Sequence, residues 1–183
     1  MSRYKFLLEA LKNFREVGTV TRSGPSLRNK IASYLTNEDI HVLELGAGDG
    51  AITKALLQKL PANGKLLAFE INPNMFQAMV DSIDDDRLIA INDSAENVEA
   101  YMKLHDIESF DVIVSAIPYI VLPESLAKKI LNLCKNNLKK GKPYLQVHYA
   151  KTLMSLYRGV FGNIKAHRVW INVPPAFVFE CIR

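Results

Sequence analysis

No aspartate or glutamate occurs between Ser125 and Phe179, although the net charge of the 183-residue chain is only +4. Residues 125–183 carry eleven Lys/Arg and one acid, residues 36–124 carry five and sixteen, and residues 1–35 carry seven and two. Both ends are therefore basic and the middle is acidic. If the ends meet in the fold, they form a positive face, which attracts the phosphates of anionic lipid or of nucleic acid.

The sequence also lacks an apolar run long enough to cross a bilayer. The longest, from Val112 to Leu122, is interrupted by Pro118, whereas a spanning helix needs about 20 apolar residues. The N-terminus shows no signal-peptide pattern. The two cysteines, Cys134 and Cys181, have neither metal nor redox spacing, which disfavours a disulfide framework. We therefore expect one soluble, cytoplasmic, globular domain without a metal.

The most informative motif is HVLELGAGDGA, from His41 to Ala51. A short apolar strand pattern leads into Gly46, Gly48 and Gly50, and an apolar helix pattern follows. This context is typical of a nucleotide-type site, because glycine lets the backbone approach a ligand and a helix N-terminus offers free N–H groups. The spacing G-x-G-x-G differs from the G-x-G-x-x-G of dinucleotide sites.

Two acids next to this motif indicate the kind of cofactor. Glu44 lies on the strand just before the turn, where a carboxylate suits an ammonium group, such as the methionine end of S-adenosylmethionine, better than a pyrophosphate. Glu70 ends the next strand, 20 residues after Gly50, where an acid commonly binds ribose hydroxyls. Together they predict a class I methyltransferase site. The alternative is an ordinary α/β turn with a solvated acid at each strand end.

Strand and helix patterns alternate through most of the chain, which predicts an α/β fold with a mostly parallel sheet and helices on both faces. The last two strands, near 165–172 and 176–182, have no helix between them and predict an antiparallel hairpin. The expected architecture is a seven-stranded, Rossmann-like class I methyltransferase with an antiparallel last strand. Residues 36–183 form this domain. Residues 1–35 form a helical segment that either covers the cofactor or contacts a membrane.

Ligands in such folds bind at the carboxyl ends of the strands. Asp93 follows the third strand and is placed to accept a hydrogen bond from the adenine amino group, although Asp and Ser before a helix also serve as N-caps. The segment from Ser115 to Tyr119 follows the fourth strand and is expected to face the transferred methyl group. The full set of predicted cofactor contacts is Glu44, Gly46, Ala47, Gly48, Gly50, Glu70, Ile71, Asp93, Ser94, Ala95 and Ser115.

The chain resembles two families. The ribosomal RNA adenine dimethyltransferases are similar in VLELGAGDG, FEIN and IPY, but Ala116 replaces the Asn of their Asn-Leu/Ile-Pro-Tyr/Phe motif, and we expect no counterpart of their extra C-terminal helical region. From end to end, the chain looks more like the bacterial phospholipid N-methyltransferases, which are soluble and membrane-associated. This resemblance rests on the segments FLLEALKNFREVGTVTRS, VLELGAGDGAITKALL, VIVSAIP, YLQVHYA and VWINVPPAFVFE.

The second resemblance implies methylation of phosphatidylethanolamine toward phosphatidylcholine at the anionic, cytoplasmic face of a membrane, with nucleic acid disfavoured as a partner. The substrate amine has a pKa of roughly 10 and must lose a proton before it attacks. Tyr149 is the first candidate to orient that amine, with His148 or Tyr119 as the base. Adjacent strand residues point to opposite faces, so Tyr149 and His148 cannot both face the site. Ordinary packing is the alternative for each aromatic.

The candidates for the lipid phosphate are arginines, which pair with phosphate in a bidentate manner. A solvated surface position is the alternative for each of them. Two further functions stay open at this point: methylation of RNA or of another small amine, and a noncatalytic cofactor-binding role. The three arginines are Arg22, Arg158 and Arg168.

Overall fold

The computed structural model describes residues 23–150, 152–171 and 175–183. The amphipathic helix expected over residues 3–17 lies outside this range, and so does Arg22. Among the described residues, no helix combines the length and the apolar composition that crossing a bilayer requires.

Seven strands form one sheet. Their bounds are β1 His41–Leu45, β2 Lys65–Phe69, β3 Leu88–Ile91, β4 Val112–Ser115, β5 Pro143–His148, β6 Ile164–Val169 and β7 Ala176–Ile182. Their order across the sheet is β3-β2-β1-β4-β5-β7-β6. The first five strands are parallel, and β7 is antiparallel to both β5 and β6. The predicted fold class, with its antiparallel last strand, is confirmed.

Six described helices connect and flank the strands. They are α1 Pro25–Ala32, α2 Ala51–Leu57, α3 Pro73–Ser82, α4 Val98–Leu104, α5 Glu124–Asn137 and α6 Met154–Phe161, with short 3₁₀ turns at Ala95–Asn97 and Tyr119–Val121. Local capping explains several of these starts. For example, Asn72 accepts hydrogen bonds from the backbone N–H groups of Asn74 and Met75, and Pro73 occupies the first turn of α3, where its missing N–H is tolerated.

Alternate residues of each strand face opposite sides of the sheet, and helices cover both sides. On one side, Leu43 and Leu45 of β1 pack in a buried cluster with residues of α4, α5 and α6. On the other side, Val42 packs with Leu27, Ile31 and residues of α2. The sheet is therefore closed to water on both faces, and its carboxyl edge is the place where loop residues converge.

The acidic and basic segments of the sequence meet in the fold as discrete ion pairs. Two of these pairs hold carboxylates that are almost fully buried at the amino edge of the sheet. Asp39 binds Lys142 at 2.5 Å, and Asp111 binds Lys139 at 2.7 Å. Part of the positive charge of residues 125–183 is thus neutralised within the fold, and the exposed cations that remain decide what kind of partner the protein attracts.

Candidate active site at the carboxyl edge of the sheet

The glycine turn after β1 closes over the end of β2. The backbone N–H groups of Gly46 and Ala47 donate to Phe69 O at 2.8 and 3.0 Å. Gly46 has a φ of 76°, which L side chains rarely adopt. A Cβ at this position would lie 3.3 Å from Ile117 N. Gly46 is therefore required where the loop after β4 presses against the turn.

Gly50 lies at the N-cap of α2, and the structure shows a packing reason for a glycine there. Cofactor contact by this residue stays a prediction. Its φ is 85°, and a Cβ there would lie 2.7 Å from Ile83 Cδ1 and 3.0 Å from Met79 Cγ. The absence of a side chain lets α3 and the chain that follows it pack against the turn. Gly50 thus shapes the site through packing of this neighbouring helix.

Replacing Gly50 by Ala should lower the free energy of unfolding more than replacing Gly141. Both glycines have a positive φ, 85° and 76° respectively, but a Cβ at Gly141 would meet no atom within 4 Å, so Gly141→Ala reports backbone strain alone. Overpacking typically adds about 1–3 kcal/mol to such strain. Urea denaturation of both variants measures the difference, and equal losses would contradict the packing role.

Glu44 is a buried carboxyl group in an unusual electrostatic position. It is 1% exposed, and within the described part of the chain neither of its oxygens has a hydrogen-bond partner. Burial raises its pKa to about 8, with a smaller opposing effect from the Thr53 hydroxyl. That hydroxyl donates to Met79 Sδ at 3.7 Å. A buried polar group of this kind is costly unless a ligand satisfies it.

Glu70 connects the glycine turn to the start of α3. One of its carboxylate oxygens accepts from Gly48 N and the other from Asn72 N, both at 2.8 Å. Glu70 thereby stabilises the turn, and its contact with the ribose hydroxyls stays a prediction.

Asp93 and Ser94 organise the segment after β3. Asp93 accepts from Ser94 N at 2.7 Å, from Asn97 Nδ2 at 3.0 Å and from the Tyr101 hydroxyl at 3.2 Å. Ser94 Oγ accepts from Glu96 N at 3.3 Å. The capping contacts weighed as an alternative are therefore present, and adenine contact by Asp93 stays a prediction.

One cleft at the carboxyl edge brings together six of the predicted cofactor residues: Gly46, Glu70, Ile71, Asp93, Ser94 and Ala95. Apolar side chains that no sequence motif marks as contacts complete its walls. The most remote in sequence are Leu122 and Ile130, which come from the α5 region. The cleft combines apolar side chains with the carboxyl groups of Glu70 and Asp93, a combination that suits a nucleoside.

The loop after β4 is held by a buried polar network. Ser115 is fully buried, and its Oγ accepts from Ile117 N at 3.3 Å. Gln146 Nε2 donates to Ile117 O at 3.0 Å, and the Tyr144 hydroxyl donates to Gln146 Oε1 at 2.6 Å. Gln146 and Tyr144 were given no role from sequence. The available signal was an amide between Leu145 and Val147 in a short strand pattern, because a buried amide needs buried partners.

The three aromatic candidates for catalysis lie on opposite faces of the sheet. Tyr119 is 2% exposed, and its hydroxyl lies 3.3 Å from that of Tyr144. His148 Nε2 lies 2.7 Å from the Tyr157 hydroxyl, and burial lowers the pKa of His148 to about 4. Tyr149 is half-buried on the other face, as the alternation of strand residues requires.

The two described arginine candidates sit on different elements. Arg158 lies on α6 and Arg168 on β6, and both are exposed. The Arg168 guanidinium stacks over the Trp170 ring, 3.5 Å from its centroid. Phosphate binding by either side chain stays a prediction.

A family model described as a methyltransferase domain matches residues 42–141, which is just over half of the chain. The chain belongs to this methyltransferase family. The match covers β1 to β4 and therefore includes the glycine turn and the cleft.

The known proteins that this methyltransferase resembles include an ornithine lipid methyltransferase and ribosomal RNA methyltransferases. It is 21% identical to the ornithine lipid N-methyltransferase of Singulisphaera acidiphila over 97% of this chain and 94% of that protein. It is 35% identical to the ribosomal RNA small subunit methyltransferase A of Mycoplasmopsis synoviae over 55% of this chain and 36% of that protein. The methyltransferase thus spans little more than a third of that RNA-directed relative.

Among solved structures, an O-methyltransferase from Bacillus cereus in complex with SAH superposes with a TM-score of 0.72 at 11% identity, covering 100% of this chain and 93% of that one. A likeness at this level of identity concerns the fold. Family and fold together confirm the coarser prediction, an S-adenosylmethionine-dependent methyltransferase.

The residues of this methyltransferase fit the cofactor. The buried Glu44 carboxyl group lacks a partner among the described residues, and the cofactor's ammonium group would supply one. Glu70 would accept from the ribose hydroxyls, and the apolar cleft beside Ile71 and Ala95 would hold the adenine.

Proposed function

We propose that this methyltransferase N-methylates the primary amine of a membrane phospholipid, phosphatidylethanolamine, at an anionic membrane surface on the cytoplasmic side. The observation that carries the proposal is the extent of the match to the ornithine lipid N-methyltransferase, 97% of this chain and 94% of that protein. The RNA-directed relative is more identical but aligns over 36% of its own length. A match through the whole chain includes the parts that contact the acceptor, whereas a partial match supports only the shared domain.

The loop after β4 supports a lipid amine over an adenine base. Ala116 stands where the RNA adenine dimethyltransferases that this loop resembles have an amide. Its methyl side chain offers neither donor nor acceptor, and it lines the cleft beside Ile117 and Pro118. Enzymes that modify a base read its edge with paired hydrogen bonds, which the side chain of Ala116 cannot supply.

Tyr149 is our candidate for orienting the amine. It follows β5 at the carboxyl edge and packs, like Ala116, against the cluster that contains Val147. Burial raises the pKa of its phenol, so the hydroxyl is neutral near pH 7, and its oxygen lone pairs can accept from an amine. His148 faces the other side of the sheet and binds Tyr157. We therefore propose that His148 holds this strand end in position.

In this arrangement the substrate ammonium releases its proton to water, because His148, the neighbouring candidate base, faces the other side of the sheet and binds Tyr157. The resulting neutral amine then has a free lone pair directed by Tyr149. The cofactor, when bound, supplies an electrophilic methyl group on its sulfonium. Correct placement of amine and methyl accounts for much of the acceleration in such reactions.

The experiment that tests the acceptor uses labelled S-adenosylmethionine and vesicles of phosphatidylcholine and phosphatidylglycerol, prepared with and without phosphatidylethanolamine. Label is expected in the lipid extract only when phosphatidylethanolamine is present. A parallel set contains ornithine lipid in its place. Label with ornithine lipid alone would contradict the choice of head group, and label with neither lipid would contradict the lipid proposal altogether.

Tyr149→Phe should lower the turnover number on phosphatidylethanolamine vesicles by about 100-fold, the size of effect that misplacing a reacting group by about 1 Å can have. The matched control is Tyr34→Phe, since Tyr34 is half-buried against the same cluster and its hydroxyl instead donates to Glu180 at 3.1 Å. Steady-state kinetics on both variants make the comparison. An unchanged turnover number for Tyr149→Phe would remove the hydroxyl from the reaction.

A further inference from the structure

Two of the most exposed apolar side chains in the described structure follow the end of β6. Trp170 is 68% exposed and Ile171 is 83% exposed. Strand β6 runs in the same direction as β5, because both are antiparallel to β7. The carboxyl end of β6 therefore lies at the edge of the sheet that also holds the glycine turn, the cleft and Tyr149.

Arg168 accompanies these side chains. Its guanidinium carbon lies 3.5 Å from the centroid of the Trp170 ring and 5.8 Å from that of Phe177. Within the described residues, no carboxylate forms an ion pair with it. Stacking on an aromatic ring leaves the in-plane N–H groups of a guanidinium available, and these match a phosphate in a bidentate manner.

The strand register places this group close to the candidate site. Arg168 pairs with Phe177, and Phe177 pairs with His148 on the next strand. Two strand spacings separate Arg168 from His148, which corresponds to about 10 Å. A surface that contacted the end of β6 would also face the strand end that carries Tyr149.

The chemistry of this group matches the boundary layer of an anionic bilayer. Tryptophan is enriched at membrane interfaces, where its ring lies among head groups and its N–H stays wet. Ile171 adds an apolar side chain with no polar group for a nucleic acid to bind, and residues 125–183 carry a charge balance of +10. Ile120, 56% exposed, follows β4 at the same edge.

We propose that Arg168, Trp170 and Ile171 form a membrane-docking surface, in which the two apolar side chains enter the interfacial layer and Arg168 binds a lipid phosphate. Docking through this surface turns the carboxyl edge of the sheet toward the bilayer. The inference deepens the proposed function and rests on it for the choice of a bilayer as partner. Its test requires no methyl transfer.

The test uses the intrinsic fluorescence of Trp170, because it is the single tryptophan of the sequence. Vesicles of phosphatidylcholine and phosphatidylglycerol are added to the full-length wild-type protein. We expect the emission to shift to shorter wavelength and to be quenched by brominated phosphatidylcholine. Sedimentation with the vesicles without any shift would overturn the proposal, since another part of the chain would then make the contact. A shift with ribosomal RNA but not with vesicles would overturn it in favour of a nucleic-acid surface.

Variants distinguish docking from general hydrophobic adhesion. Ile171→Ser should weaken vesicle binding by tenfold or more. The matched control is Leu104→Ser: Leu104 is 69% exposed and lies at the end of α4, beside the start of β2, where Lys65 Nζ binds His105 O. We expect Leu104→Ser to bind vesicles like the wild type. Equal losses in both variants would overturn the proposal, and thermal unfolding checks the fold of each.

The failure of this inference and of the proposed function can be told apart. Label found only in RNA would reject the lipid acceptor, and the Trp170 emission with vesicles would still decide the docking surface. Conversely, phosphatidylethanolamine could become labelled while the Trp170 emission stays unshifted. That result would support phosphatidylethanolamine as the acceptor and reject docking through the end of β6.

Discussion

Glu44→Gln should weaken S-adenosylmethionine binding by at least about 100-fold. The glutamine retains the size of the side chain but removes the charge that would pair with the cofactor's ammonium group. Removing one partner of a buried ion pair typically costs about 3–5 kcal/mol, and 1.4 kcal/mol corresponds to a factor of ten. Isothermal calorimetry measures the affinity.

The control for this variant is Glu180→Gln. Glu180 is a half-buried acid that binds Tyr34 and His167, away from the glycine turn. Cofactor affinity should be unaffected by this change. If Glu44→Gln also bound the cofactor like the wild type, the cofactor's ammonium group could not be paired with Glu44.

The raised pKa of Glu44, about 8 in the free protein, makes cofactor binding depend on pH. An ammonium partner favours the carboxylate, so the complex holds fewer protons than the free protein. Affinity should therefore rise with pH toward about 8, by at most about tenfold per unit. Above that pH the cofactor's own amine loses its proton, and affinity should fall. Calorimetry in buffers of different ionisation heat measures the released proton, which Glu44→Gln should abolish.

The same carboxyl group affects the stability of the cofactor-free protein. Its folded pKa lies above the ordinary value of 4.5, so between these values the folded state holds a proton that the unfolded state lacks. This contribution to stability is complete below about pH 4.5 and is lost as pH rises toward 8, with a slope of at most about 1.4 kcal/mol per unit. In Glu44→Gln this slope should disappear.

Gly46→Ala should reduce cofactor affinity by about tenfold or more. Gly46 has a φ of 76°, and a Cβ there would lie 3.3 Å from Ile117 N and 3.4 Å from Ala116 C. These are backbone atoms that cannot rotate away, so the glycine turn and the loop after β4 must move apart by a few tenths of an ångström. This shift would distort the cleft between them. Overpacking of this kind typically costs about 1–3 kcal/mol, and 1.4 kcal/mol corresponds to a factor of ten.

Gly141→Ala is the matched control for Gly46→Ala. Gly141 also has a φ of 76°, but a Cβ there would meet no atom within 4 Å. Both variants should lose about 1–2 kcal/mol of stability from backbone strain, and only Gly46→Ala should also lose cofactor affinity. Loss of affinity in both, or in neither, would contradict the contact between the two loops as the cause.

Local sequence patterns were sufficient for the framework of the site. The glycine turn and the acids at the ends of β1 and β2 depend on neighbours a few residues apart, so the spacing alone located them. The carboxyl-edge rule for parallel strands then brought Asp93 and Ser115 to the same region. The sequence therefore predicted which strand ends lie together at the site, because the order and direction of the strands decide this.

Contacts between distant residues could not be predicted in this way. Gln146 binds Ile117 O across 29 residues, and Leu122 and Ile130 reach the cleft from the α5 region. The strand before the last was predicted near residues 165–172, but β6 ends at Val169. Its pairing with β7 stops at Ala176, which leaves Trp170 and Ile171 beyond the sheet and exposed. Periodicity in the sequence did not reveal where pairing stops.

The measurement that tests the central claim most directly offers the purified protein labelled S-adenosylmethionine with two acceptors in parallel. One acceptor is anionic vesicles containing phosphatidylethanolamine, and the other is unmodified ribosomal RNA. We predict label in the lipid extract and none in the RNA. Label in the RNA alone would contradict the account and would mean that Ala116 does not exclude an adenine from this site.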